Sequence, residues 1–157
     1  MGMTINCDMG EGFGPYRLGN DAALMPHIDL ANVACGFHAS DPSIMHETVR
    51  LAKQHGVKVG AHPSLPDMQG FGRRAMVIAP HELEDLVIYQ TGALKAFLDT
   101  EGMPLNHIKP HGHSTAWQPA TRPLPARSPT PRAYSAYQSS AWRSPRTKRL
   151  TEKRALR

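Results

Sequence analysis

Apolar and polar positions along the first 112 residues follow two alternating rhythms. Short, mostly apolar runs predict four strands: Thr4-Ile5-Asn6-Cys7, Ile28 to Ala34, Val57-Lys58-Val59-Gly60-Ala61 and Asn106-His107-Ile108-Lys109. Longer stretches with a period near 3.6 predict helices between them. Asp41-Pro42 is a helix start, because Asp can cap free backbone N–H groups and Pro at the first helical position loses no bond. Ile44, Met45, Val49 and Ala52 then fall on one stripe, and Gly56 is the expected stop. A second long helix opens at Pro80, with Leu83, Leu86, Val87, Leu94 and Phe97 on its apolar face and Gly102 behind it. A short helix is expected over Asp21 to Met25, and a turn-rich connection over Pro63 to Ala79. No internal repeat is visible.

Strands alternating with helices imply an α/β fold whose parallel strands are joined by right-handed crossovers. In such folds functional groups gather beyond the C-terminal ends of the strands. The sequence obeys that rule. Its four predicted strands run out into Asp8 and Glu11, into His38 and Asp41, into His62, and into Lys109 and His111.

Each of these residues has a plain reading beside a chemical one. Asp8 and Glu11 flank glycines, so they could act as a general base or hold a ligand, or merely cap a turn and face solvent. Asp41 is a helix cap. His38 could exchange protons near neutrality or be a polar loop residue. Lys109 is a cation suited to a carboxylate or phosphate. Three histidines (His38, His62 and His111), each ending a different parallel strand, favour a site over three coincidences. Asp8, His38, His62 and His111 could also hold a metal, although none has the close spacing of a His-Glu-x-x-His motif. His27, His46, His55, His81 and His107 read as surface residues, and Cys7 and Cys35 as buried, inert thiols.

Charge divides the chain at Gly112. Residues 1–112 hold 8 Lys+Arg and 12 Asp+Glu with all 13 glycines, whereas residues 113–157 hold 10 Lys+Arg, one acid, six prolines and no glycine. The formal charge of +5 therefore averages an acidic segment with a basic one. No apolar run approaches the roughly 20 residues that span a bilayer. Nothing resembles a secretory leader, and two cysteines are too few for a disulfide framework. A cytoplasmic protein without membrane contact is expected.

Five strand-end motifs are more specific than any composition. Asn6-Cys7-Asp8-Met9-Gly10-Glu11-Gly12-Phe13-Gly14, Ala34-Cys35-Gly36-Phe37-His38-Ala39, Gly60-Ala61-His62-Pro63-Ser64, Gln69-Gly70-Phe71-Gly72-Arg73-Arg74 and Lys109-Pro110-His111-Gly112 together resemble the LamB/YcsF family. Members of that family are the A-type component of the ATP-dependent bacterial 5-oxoprolinase, and the resemblance covers residues 3–112. It implies an irregular (β/α) barrel of which residues 1–112 form the N-terminal half. It further implies hydrolysis of the 5-oxoproline lactam to L-glutamate with partner subunits B and C, ATP, and a divalent cation, Mg²⁺, accompanying the nucleotide. Asp8, Glu11, His38, His62, Lys109 and His111 are then the candidate catalytic residues. The runner-up is a metal-dependent amide or deacetylase-type hydrolase on the same barrel. A third reading is a non-catalytic fragment that binds a partner. No Gly-x-x-x-x-Gly-Lys-Ser/Thr phosphate loop is present.

The resemblance stops where the composition changes. The family continues from Lys-Pro-His-Gly into Ala-Leu-Tyr, whereas this chain continues His113-Ser114-Thr115-Ala116-Trp117. Loss of one base in the Gly112 codon would account for the change. With permitted codons, Gly112 to Pro131 then re-reads as ALYSMATRDPALARAVADA, which resumes the family pattern. Residues 113–157 are accordingly expected to be an out-of-frame, disordered tail. A nucleic-acid-binding arm, with Trp117, Tyr134, Tyr137 and Trp142 among its cations, is the weaker reading because the cations follow no period. A complete barrel takes about 250 residues. An open half exposes sheet edges and apolar faces, so this chain is expected to fold poorly and to show little activity.

Overall fold

A computed structural model describes residues 3–112. The expectations for residues 113–157 as a disordered, out-of-frame tail therefore lie outside the described residues.

Four strands form one all-parallel sheet in the order β1 (Asn6–Met9), β2 (Leu30–Ala34), β3 (Lys58–His62), β4 (Leu105–Ile108). Each crossover steps to the next strand in the same direction, which is the winding of a barrel wall and not of a doubly wound sheet. The α/β fold predicted for these residues is the one observed. The short helix α1 (Asp21–Leu24) runs into a 3₁₀ turn at Met25–His27 between β1 and β2. Helix α2 (Pro42–His55) links β2 to β3, and α3 (Pro80–Thr100) links β3 to β4. Among the described residues no helix is long and apolar enough to cross a membrane.

The ends of α2 follow from chemistry visible in the sequence. The Asp41 carboxylate accepts from the backbone N–H of Ser43 at 2.8 Å and of Ile44 at 3.0 Å. Gly56 closes the helix with φ 67°. Ile44, Met45, Val49 and Ala52 are buried as predicted, joined by Thr48. Their partners include Ala31, Val33, Val59 and Ala61, the outward-facing residues of β2 and β3. Helix α3 starts at Pro80 as predicted, but Leu83, Leu86, Val87 and Phe97 are only half-buried. Its fully enclosed residues are Gln90, Thr91, Leu94 and Leu98. Gln90 is enclosed because it ties the loop after β3 to the helix: its amide accepts from Ser64 N and donates to Ser64 O, both at 2.8 Å.

Two strand boundaries differ from expectation in a way that matters. β1 extends through Asp8 to Met9, and β3 includes His62. Both residues thus have the fixed side-chain direction of a strand instead of a loop's freedom. The β3–β4 register shifts between Val59 and Gly60, so Val59 pairs with Leu105 but Gly60 pairs with His107. Asn106 is the extra residue of this bulge, and it turns His107 to the face that carries Gly60.

A candidate active site at the strand ends

The inward row of the sheet is polar. Asp8, Asn32, Gly60 and His107 are register partners across all four strands. Asn32, fully buried, donates to Asp8 Oδ1 at 2.8 Å and to Asn6 Oδ1 at 3.0 Å. Its own oxygen lies 2.6 Å from His107 Nε2. The contact spans β3 because Gly60 has no side chain; a Cβ there would overlap the His107 ring. The expectation that His107 is a surface residue is corrected: it is half-buried within this row. His46 is likewise half-buried, 2.9 Å from Glu101. Neither Asn32 nor His107 stood out in the sequence. A polar residue in the middle of Leu30-Ala31-Asn32-Val33-Ala34, in phase with Asp8, was the available signal.

All six predicted site residues converge above this row. Lys109 Nζ is ion-paired with Asp8 Oδ1. Asp8 Oδ2 lies 3.4 Å from His62 Nε2. Burial pushes the Asp8 carboxyl up, but His62, Lys109 and Asn32 more than offset it and hold the group well below the usual carboxylate range. Asp8 is therefore an ionised anchor for Lys109.

Next to this pair stand three enclosed imidazoles and one carboxylate. His38, His62 and His111 are at most 2% exposed, and Glu11 is half-buried. His38 Nε2 is 3.1 Å from Glu11 Oε1, and His111 Nδ1 is 3.6 Å from the same oxygen. His111 Nδ1 is 3.0 Å from His62 Nε2. The rings of His38 and His111 stack with centroids 3.8 Å apart. Burial lowers the basicity of both, and with the neighbouring His38 and His62 it brings His111 down to about 4. His38 Nδ1 is buried with no hydrogen-bond partner among the described residues.

The far sides of the His62 and His111 rings are fixed by backbone. His62 Nδ1 donates to the Lys109 carbonyl at 2.6 Å. His111 Nε2 donates to the Phe71 carbonyl at 2.9 Å. The loop after β3 brings that carbonyl in. Buried Asp67 organises the loop by accepting from Gly70 N at 2.9 Å and Arg74 Nε at 2.7 Å. Phe71 and Gly72 both adopt positive φ, 54° and 67°. A Cβ on Gly72 would overlap Ser64 Oγ and come within 2.9 Å of His38 Cβ. This explains why the Gln69-to-Arg74 motif belongs with the histidines, a connection its composition alone did not reveal. Cys35 sits just after β2 with its thiol pushed up to about 12 by burial, so it is inert as expected. Cys7 is only half-buried on β1.

Comparison with known proteins points the same way. Residues 3–117 match the LamB/YcsF family. The chain is 63% identical over 108 residues to the lactam utilization protein lamB of Emericella nidulans, covering 69% of this chain and 43% of that protein. It is 57% identical over 110 residues to the A-type component of 5-oxoprolinase from Bacillus subtilis, covering 70% and 43%. The crystal structure of a lactam utilization protein from Thermus thermophilus superposes with a TM-score of 0.70 at 53% identity, covering 71% of this chain and 45% of that one. The chain thus spans less than half the length of the relatives it matches. With five motifs folded into one site and this match across its described residues, the chain belongs to the LamB/YcsF family.

Proposed function

We propose that residues 3–112 form the N-terminal half of a 5-oxoprolinase A-type component and carry part of the site that opens the lactam ring of 5-oxoproline to give L-glutamate. The observation that carries this reading is the convergence of Asp8, Glu11, His38, His62, Lys109 and His111 from four strand ends into one site. The names of the relatives supply the substrate.

Hydrolysing a lactam requires a water aimed at the carbonyl carbon and a positive group for the developing oxyanion. Lys109 supplies the cation, held in place by Asp8. Asp8 is committed to Lys109 and Asn32, so Glu11, beside His38 and His111, is the better-placed acceptor for the water's proton. The N–H groups of Gly10 and Gly14 are taken by Asp21 at 2.7 Å and Asp41 at 2.8 Å. In this reading the use of ATP, with Mg²⁺ as its counter-ion, is assigned to the rest of a complete barrel or to partner subunits B and C. A cytoplasmic setting belongs to the same proposal, since both cysteines are free thiols.

The test uses a full-length relative with its partner subunits, replacing the residues that match Asp8, His38 and His62 one at a time. Glutamate release should fall at least about 100-fold, the scale of a lost catalytic proton transfer. Full activity in all three variants would overturn the reading. The present chain alone should show little turnover. A metal-dependent amide hydrolase on the same barrel is the second reading, favoured by the histidine cluster. Turnover of an amide without ATP would select it. Co-purification with a partner and no turnover in the intact relative would instead select a binding role.

A further inference from the structure

The three imidazoles and Glu11 share a geometry that goes beyond the proton-acceptor role given to Glu11 in the lactam reading. Glu11, His38, His62 and His111 each offer one donor atom, and the four atoms lie within 4.8 Å of one another. A four-coordinate ion with bonds of about 2.0–2.1 Å sets its ligand atoms about 3.3 Å apart. The neighbouring separations here, 3.0, 3.1 and 3.6 Å, bracket that spacing.

The proton positions are more telling. A carbonyl oxygen only accepts, so His62 Nδ1 and His111 Nε2 must both carry hydrogen, because each faces one. In neutral rings this leaves His62 Nε2 and His111 Nδ1 as unprotonated lone pairs, aimed at each other across 3.0 Å. A proton there would create an imidazolium facing Asp8 or Glu11 and in contact with two further enclosed rings. A metal ion would satisfy both lone pairs at once, and ring nitrogens whose opposite N–H is tied to a carbonyl are the usual form of a metal-binding histidine. Asp8, the carboxylate expected from the sequence to complete such a site, is instead occupied by Lys109 and Asn32. Glu11 stands in its place.

We propose that Glu11, His38, His62 and His111 bind one divalent cation of the zinc class within this chain. Three imidazoles and one carboxylate suit zinc or cobalt better than magnesium or calcium, which take all-oxygen sets. The site is complete within residues 3–112 and does not depend on the lactam reading.

The test is metal binding by the full 157-residue chain, stripped with a chelator and then dialysed against Zn²⁺ or Co²⁺ alone. One equivalent should be retained, and Co²⁺ should give the visible absorption of a four-coordinate site. His62→Ala and His111→Ala should each weaken Zn²⁺ by more than the roughly 10- to 100-fold that loss of a supporting partner costs. His55→Ala, at the exposed end of α2, should change nothing. Glu11→Gln, which keeps the shape and removes the charge, serves if the alanine variants do not fold. Retention of no metal by the wild-type chain would overturn the proposal, as would equal retention by all the variants. Failure of the lactam assay in the intact relative would leave these results standing.

Discussion

Lys109 and Asp8 are ion-paired although one directly follows β4 and the other lies in β1, the two outer strands of the sheet, 101 residues apart in sequence. In a flat sheet, three strand spacings would separate them by about 14 Å. The pair closes because the sheet curls toward its polar face, so the contact measures the curvature of a barrel wall. Asp8→Asn and Lys109→Met should each destabilise the chain by up to about 1 kcal/mol, a modest amount because both side chains keep solvent contact. The double variant should lose clearly less than the sum. Urea unfolding of the four chains checks this, and strict additivity would mean the pair does not bridge the sheet.

Gly60→Ala probes the inner row. A methyl group at that position meets the His107 ring and must push it off Asn32. A cost of about 1–3 kcal/mol is expected, typical of overpacking a filled site. His107→Ala should recover part of it in the double variant, since it removes the ring that the methyl strikes. A Gly60→Ala chain as stable as the wild type would show that the ring has room to move.

Asp41→Ala removes two bonds to the start of α2 and a third to Gly14 N at 2.8 Å. The melting midpoint should correspond to a loss of about 1 kcal/mol or somewhat more. Asp41→Asn should retain most of the stability, because the amide oxygen caps nearly as well.

Glu101 links α2 to the end of α3. Arg50 at 3.0 Å, His46 at 2.9 Å and Lys53 at 3.2 Å hold its carboxyl down to about 2. A lowered folded-state pKa favours the fold above the unfolded value of about 4.3, and that contribution drains away as pH falls toward 2. Glu101→Gln should therefore lower the urea midpoint at pH 7 and flatten its decline between about pH 4.5 and pH 2. A decline of unchanged steepness would assign the acid sensitivity to other carboxylates.

Much of the frame was readable in advance, for reasons that particular residues show. Asp41, Pro42 and Gly56 fix the ends of α2 through backbone chemistry that acts within a few residues. Six titratable side chains at four strand ends located the site, because parallel strands all deliver their C-termini to one side. What stayed hidden depends on pairing between distant segments. The half-buried state of His107 follows from Gly60 on another strand. The tautomer of His111 follows from a carbonyl in a loop with positive φ at Phe71 and Gly72. The choice of Glu11 over Asp8 beside the histidines follows from Lys109 reaching across the sheet. None of these leaves a mark within a local window.

The extra residue at Asn106 gives the site an arithmetic basis. Side chains on a strand alternate, so whether a residue faces the site or the helices depends on an odd or even count from a fixed partner. Without the bulge, with Asn106 counted into the ladder opposite Gly60, Ala61 would pair with His107, and Ile108 would lie opposite His62 where Lys109 now belongs. Asp8 would lose its counter-ion with every chemical group in the chain still present. Parity, as much as residue type, decides which groups of the fourth strand reach the site.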